Sequence, residues 1–247
     1  MLLVRDVEKS YKKGGFFSKE KQKVLNKVTL ECRAGECLGI IGESGSGKST
    51  LGRMILGVEK PDSGSVTFKE LPTYLRKARL GKISAVFQDY KSSINPFFTV
   101  KEAILEPLQI LGRKDRGEER LIELLKKVDL PGSYLKRYPH ELSGGEVQRV
   151  CIARAIATEP ACILFDEAIS SLDVSVQVQV LDLLKELKRT YNMSYIFITH
   201  DIQAAAYLCD RMIIFKDGQI EETVNTQDLG KVQTDYAKKL LHSLLTI

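Results

Sequence analysis

Residues 36–58, "ECLGIIGESGSGKSTLGRMILGV", constrain this chain more than any other stretch. A compact apolar run, "ECLGIIG", reads as a buried strand. It runs into a full match to G-x-x-x-x-G-K-[ST] at Gly42–Ser49, and "LGRMILGV" follows with helical spacing. Strand, glycine loop and helix form one physical unit. The glycines let the backbone curl until successive N–H groups point inward. The helix start adds its positive end. Such a cradle holds phosphate groups. Lys48 supplies a point charge to the β- and γ-phosphates, and Ser49 supplies a hydroxyl for a magnesium ion.

A metal-bound phosphate chain needs a carboxylate on its other side. "ACILFDE", residues 161–167, provides a buried strand that ends in Asp166, placed to hold magnesium through water. Glu167 follows at the strand exit, where a carboxylate can orient and deprotonate an attacking water.

The remaining pattern alternates. Residues 2–7 and 24–32, "SGSVTF", "KISAVFQD" and "SYIFITHD" read as strands. Residues 100–111 and 116–128, "LSGGEVQRVCIARAIA" and "IQAAAYLC" read as helices. "VSVQVQVLDLLKELKRTY" reads as a long helix, although its first half also alternates like a strand. "RMIIFKDGQIEE" reads as a hairpin around Lys-Asp-Gly, and Thr234 to Leu245 as a helical tail. Strands alternating with helices predict an α/β domain with a mostly parallel sheet. The helix-rich middle predicts an inserted helical subdomain.

At 247 residues the chain has room for one large domain, or one domain with a subdomain. No apolar run approaches the roughly 18–20 residues that span a membrane, and the N-terminus lacks a signal-peptide pattern. A cytosolic protein is expected, with any membrane role on the surface or through a partner. The net charge of +5 is spread out, and its densest run, residues 11–23, reads as a solvated loop. No nucleic-acid motif accompanies it. The five cysteines lack the paired spacing of zinc sites and read as buried thiols in a reducing compartment.

With Gln88, "LSGGE" at 142–146, "ILFDEAISSLD" at 163–173 and "ITHD" at 198–201 in register, the chain resembles the ATP-binding subunit of ABC transporters over nearly its whole length. The resemblance implies a P-loop ABC ATPase fold: a mostly parallel sheet core with an antiparallel β part and an inserted helical subdomain. It divides residues 1–247 into an ATPase core (1–89 and 161–225), a helical subdomain carrying the signature motif (90–160) and a C-terminal tail (226–247). ATP and Mg²⁺ are the implied cofactors. Gly42, Glu43, Ser44, Gly45, Ser46, Gly47, Lys48, Ser49 and Thr50 would surround the phosphates. Lys48, Gln88, Glu167 and His200 would carry catalysis, and Ser49, Gln88 and Asp166 would hold the metal. Tyr11 would stack on adenine, and Asp173 lies in the loop that communicates between two sites. Ser143, Gly144, Gly145 and Glu146 would cap the ATP of a second subunit, so the second glycine-rich helix start is an intermolecular half-site.

Glu146 stands where the family usually has glutamine. A carboxylate beside a partner's triphosphate is unfavourable, and the positive helix end offsets part of that cost. Glu146 is expected to accept a hydrogen bond from a ribose hydroxyl, and the two composite sites of a heterodimer to be unequal.

"FQDYKSSINPFFTVKEAI" and "LDVSVQVQVLDLL" resemble the dipeptide, oligopeptide and nickel importers. The absence of cysteine after Cys209, and "DEAIS" in place of the common "DEPTS", resemble the second ATPase subunit of nickel or metal–metallophore (staphylopine-type) importers. That implies a second ATPase subunit, two membrane-spanning permease subunits and, indirectly, an extracellular solute-binding protein as partners, with no nucleic acid. The implied location is the cytoplasmic face of the membrane. Phe97 and Phe98 would face a short helix of the permease or, alternatively, fill the subdomain's own core. The alternative function is a soluble ABC ATPase not coupled to transport, for example of the iron–sulfur assembly type; "SSINP" after Gln88 argues against that type.

Overall fold

The computed structural model describes residues 1–13, 20–89, 93–113 and 117–242. Part of the basic run, "YKS" after Asp89 and the last residues of the expected tail helix lie outside them.

Residues 1–79 and 194–247 form one compact unit. Its antiparallel sheet joins β1 (Leu2–Lys12), β2 (Lys21–Cys32), β4 (Ser63–Phe68) and β5 (Leu71–Pro72) in the order β2-β1-β4-β5. Strands β1 and β2 are longer than their apolar stretches predict. Pairing continues through Ser10↔Lys23 to Lys12↔Lys21, where the backbone ladder and not side-chain burial holds the strands.

The unit's other strands surround β3 (Cys37–Ile41), every residue of which is buried. It runs parallel to both β8 (Ser194–Thr199) and β9 (Arg211–Lys216). A strand flanked by parallel neighbours and covered on both faces reads as an unbroken apolar run. The edge strand β10 (Gln219–Asn225) returns antiparallel to β9 through Asp217 and Gly218, both at positive φ (46° and 77°). That is the geometry of a tight hairpin. Helix α1 (Lys48–Ile55) leaves the phosphate loop with Leu51, Met54 and Ile55 fully buried. The short α2 (Arg76–Arg79) follows β5, α7 (Ile202–Leu208) follows β8, and α8 (Asp235–His242) closes the described chain.

Residues 80–193 form the second unit. Parallel strands β6 (Ile83–Phe87) and β7 (Cys162–Asp166) accompany α3 (Val100–Ile110), α4 (Glu118–Lys126), α5 (Gly144–Ile156) and α6 (Val174–Tyr191). A capping box starts α3: Thr99 Oγ1 accepts from the Glu102 N–H, and Glu102 accepts from the Thr99 N–H at 2.7 Å. Arg154 on α5 donates to the Ser93 carbonyl and to Glu106, tying α5 to α3. Helical periodicity prevails over strand alternation in α6, because Val180, Leu183, Leu184 and Leu187 make one buried stripe.

Phe97 is 85% exposed, so the core alternative fails for it. Ile94 is 3% exposed, and Phe98 is half-buried. None of the five cysteines forms a disulfide and all are buried, and burial pushes the Cys151 and Cys162 thiols up to about 12. Among the described residues, no group of three or more His, Cys, Asp or Glu side chains could hold a metal ion, and no helix is long and apolar enough to cross a membrane.

Exposure and capping predict opposite outcomes for neighbouring substitutions. Thr99→Ala should lower the unfolding free energy in urea by about 1 kcal/mol, the usual worth of an N-cap. Phe97→Ser should leave it within about 0.5 kcal/mol, as for other exposed positions.

Candidate active site

The glycine loop is shaped from behind. A Cβ on Gly42 would stand 2.0 Å from the Phe215 carbonyl oxygen, and one on Gly47 (φ 106°) would stand 2.8 Å from the Val24 carbonyl oxygen. Neither position admits a side chain. The Gly218 N–H donates to the Ser46 carbonyl at 2.9 Å, pinning the loop to the β9–β10 hairpin. The front differs: a Cβ on Gly45 (φ 81°) would meet nothing within 4 Å. Ser46 Oγ is buried and has no hydrogen-bond partner among the described residues. Lys48, 5% exposed, donates from Nζ to the carbonyls of Gly42 (2.7 Å) and Glu43 (2.8 Å). A buried ammonium, an orphaned hydroxyl and a helix start on one concave loop suit an anion.

Sheet register places the neighbouring candidates. Ile41 pairs with Thr199, so Gly42 and His200 leave the same sheet edge. His200 is exposed, and Asp201 beside it caps α7 by accepting from the Ala204 N–H at 3.0 Å. In the second unit Phe87 pairs with Asp166, so Gln88 and Glu167 each stand one residue beyond a paired strand end. Glu167 holds a left-handed backbone, φ 53°. Its carbonyl accepts from the Ser170 N–H (3.2 Å) and Oγ–H (2.9 Å), closing the turn that imposes this conformation. A non-glycine residue there costs on the order of 1–3 kcal/mol.

Tyr11 is half-buried and anchored at its polar end. Its hydroxyl lies 2.7 and 2.8 Å from the two Glu59 carboxylate oxygens and accepts from Arg53 at 3.2 Å. Arg53 also donates to Thr50 Oγ1 at 3.0 Å, so Tyr11 and the last loop residue share one partner on α1. Nothing in the spacing of Tyr11, Arg53 and Glu59 marks this connection beforehand.

Ser143 is the N-cap of α5. Glu146 Oε2 accepts from the Ser143 N–H (2.8 Å) and Oγ–H (2.9 Å), and Oε1 accepts from the Tyr134 hydroxyl at 2.6 Å. The Tyr134 hydrogen bond first, then the Ser143 N–H, holds the Glu146 carboxyl below its ordinary value. Arg137 lies 4.0 Å from the Tyr134 ring centre. Both Glu146 oxygens thus already accept hydrogen bonds within the chain, where the sequence reading offers them to a ribose. A Cβ on Gly145 would meet Val176 Cγ1 at 2.5 Å, so close packing of α5 on α6 itself demands that glycine. Asp173 caps α6, accepting from the Ser175 hydroxyl (2.7 Å) and the Val176 N–H (3.0 Å), with the Ser175 bond the larger cause of its lowered pKa.

A strand–glycine loop–helix cradle on a parallel sheet defines a P-loop nucleotide-binding protein. Residues 25–170 match the family described as ABC transporter. The chain is 53% identical, over the full length of both, to the metal-staphylopine import system ATP-binding protein of Staphylococcus aureus strain Mu50. It is 40% identical to the nickel import ATP-binding protein of Escherichia coli O6:K15:H31, covering 99% of this chain and 94% of that one. Among solved structures, a bacterial ABC transporter cassette solved as a dimer matches with a TM-score of 0.81 and 34% identity, covering 92% of this chain and 99% of that one. A Clostridium perfringens component of an ABC transporter complex matches with a TM-score of 0.81 and 25% identity, covering 100% and 95%. The chain belongs to the ABC transporter family and is an ATP-binding ATPase of it.

The Tyr134–Glu146 bond carries a pH signature. Glu146 has a folded value below the ordinary 4.5, so its contribution to stability is present above 4.5 and is lost as pH falls through the folded value. Tyr134→Phe should lower the urea unfolding midpoint at about pH 7, and the gap from the unsubstituted chain should narrow below about pH 4.

Proposed function

We propose that this chain is the energy-coupling ATPase of a multi-subunit importer for a metal, a metal–metallophore complex or a small peptide, working at the cytoplasmic face of the membrane. The observation that carries this reading is the full-length likeness to the metal-staphylopine import ATP-binding protein. It is supported by a phosphate loop whose buried Lys48 and unpartnered Ser46 hydroxyl suit a triphosphate. Residues 1–89 and 161–225 serve as the ATPase core, 90–160 as the helical subdomain and 226–247 as the tail.

Lys48 binds the β- and γ-phosphates, and the loop N–H groups orient them. Tyr11 stacks on adenine, its ring angle set by Glu59 and Arg53. The Ser49 hydroxyl, the Gln88 amide and the Asp166 carboxylate are hard oxygen donors, the set that Mg²⁺ prefers over sulfur or imidazole. When bound, Mg²⁺ neutralises charge on the phosphate oxygens. Glu167 takes the proton of the attacking water, and His200 contacts the γ-phosphate. Ser143 and Gly145 cap the ATP of a second ATPase chain, and Asp173 lies between the two sites.

A cavity of about 340 Å³ inside the second unit supports a coupling surface. Phe87, Ser93, Pro107, Cys151 and Arg154 are among its walls, and exposed Phe97 follows Ser93 by four residues. Its mostly apolar walls suit the apolar face of a short amphipathic helix of a permease.

Glu167→Gln should keep nucleotide binding in the assembled transporter while turnover falls roughly 10²–10⁴-fold. Lys48→Ala should lose binding as well. Near-full hydrolysis by Glu167→Gln would remove Glu167 as the base. Ser143→Arg tests the intermolecular half-site. Nucleotide occupancy measured chain by chain should stay intact at this chain's own loop and fall at the partner's. Loss at the chain's own loop would show that Ser143 acts within its own chain.

A further inference from the structure

The tail helix α8 reaches the phosphate loop. Tyr236 Oη accepts from the Glu43 N–H at 3.4 Å, a long hydrogen bond. Lys216, the last residue of β9, holds its ammonium 4.8 Å from the Tyr236 ring centre. The Gly42–Glu43 peptide is therefore gripped on both sides: its N–H by Tyr236 and its carbonyl, that of Gly42, by Lys48 at 2.7 Å.

The helix that delivers Tyr236 is firmly mounted. Glu222 on β10 accepts from the N–H groups of Gln233 (2.9 Å) and Thr234 (3.0 Å) and from the Thr234 hydroxyl (2.9 Å). Thr234 Oγ1 in turn accepts from the Ala237 N–H at 3.2 Å, and Ala237 is fully buried. One carboxylate thus caps the start of α8 and fixes its rotation, which aims Tyr236 at the loop. The same hairpin holds the loop from behind through the Gly218 N–H. Tail, hairpin and phosphate loop form one connected set of contacts.

We propose that Tyr236 is a positioning residue of the nucleotide site, holding the Glu43 peptide so that the loop presents Lys48 to the phosphates. This rests on the reading of residues 42–50 as the phosphate loop. In this role Tyr236 acts through the Glu43 backbone N–H and not by its own contact with nucleotide or metal. Glu222 is its support: without the cap, α8 loses its fixed start and the hydroxyl loses its aim. The sequence pattern marks residues 234–245 as a helix and assigns it no task.

The experiment measures AMP-PNP binding to the purified full chain by titration calorimetry, alongside its thermal midpoint without nucleotide. Tyr236→Phe removes the acceptor and keeps the ring. It should weaken AMP-PNP binding roughly three- to tenfold, the scale of one hydrogen bond, with an unchanged midpoint. In ATP turnover KM should rise and kcat should stay near its original value. Glu222→Ala should weaken binding to a similar degree, and the double variant should be no weaker than the weaker single, because both act through one contact. Wild-type affinity in Tyr236→Phe would overturn the proposal. So would a loss that merely tracks a lowered midpoint, or full additivity in the double variant. Lys48→Ala separates the two levels: wild-type affinity there would sink the phosphate-loop reading itself, while its loss beside an unaffected Tyr236→Phe would sink the positioning role alone.

Discussion

The Phe215 carbonyl oxygen stands where a side chain on Gly42 would have to go. That close approach governs how the nucleotide-binding unit is built. The loop can curl around phosphate because its back is pressed against rigid backbone: Phe215 behind Gly42, Val24 behind Gly47, and the Gly218 N–H on Ser46. Each of those three groups belongs to a different structural piece. Val24 lies in the antiparallel sheet, Phe215 in β9, and Gly218 in the turn to β10. Buried β3 delivers the loop to this enclosure, with β8 and β9 keeping it in register on either side. A cradle made of backbone has few side-chain determinants of its own, so its shape depends on what stands behind it.

The second unit depends on helix starts, and there the chemistry is in competition. Thr99, Ser143 and Asp173 each satisfy orphan N–H groups at the head of a helix. Ser143 is also the candidate ligand for a neighbour's phosphate. Its hydroxyl already donates to Glu146 and accepts from the Glu146 N–H. A phosphate oxygen seeking that proton must outbid a carboxylate, a stronger acceptor than the amide the family usually places there. Tyr134 counters this by drawing on the other Glu146 oxygen. The substitution of glutamic acid for glutamine is thus built into its surroundings and carries consequences at Ser143.

Legibility followed range. The strand–loop–helix unit was readable because its residues are contiguous and glycine is required by local geometry. The hairpin was readable from Lys-Asp-Gly for the same reason. Helix α6 was readable despite "VSVQVQV", since the apolar stripe from Val180 onward outweighs a short alternation. The outer halves of β1 and β2 were not, because ladder hydrogen bonds leave no hydrophobic trace. Three side-chain partnerships were invisible: Tyr11 with Glu59, Tyr134 with Glu146, and Tyr236 with Glu43. Each joins residues 12 or more positions apart through one hydroxyl, and tyrosine is common enough that its position alone predicts nothing. Phe97 was ambiguous, because an aromatic beside proline suits either a core or a surface.

Glu167 stands in a backbone conformation that glycine or asparagine would adopt at lower cost. Selection for thermal endurance alone would therefore pull this position away from glutamate, towards residues that relax the turn and carry no carboxylate. A laboratory lineage of this chain enriched for heat resistance without a transport requirement would drift in that direction. On the proposed role of Glu167 as the base, it would gain a more durable fold that still grips ATP and no longer hydrolyses it.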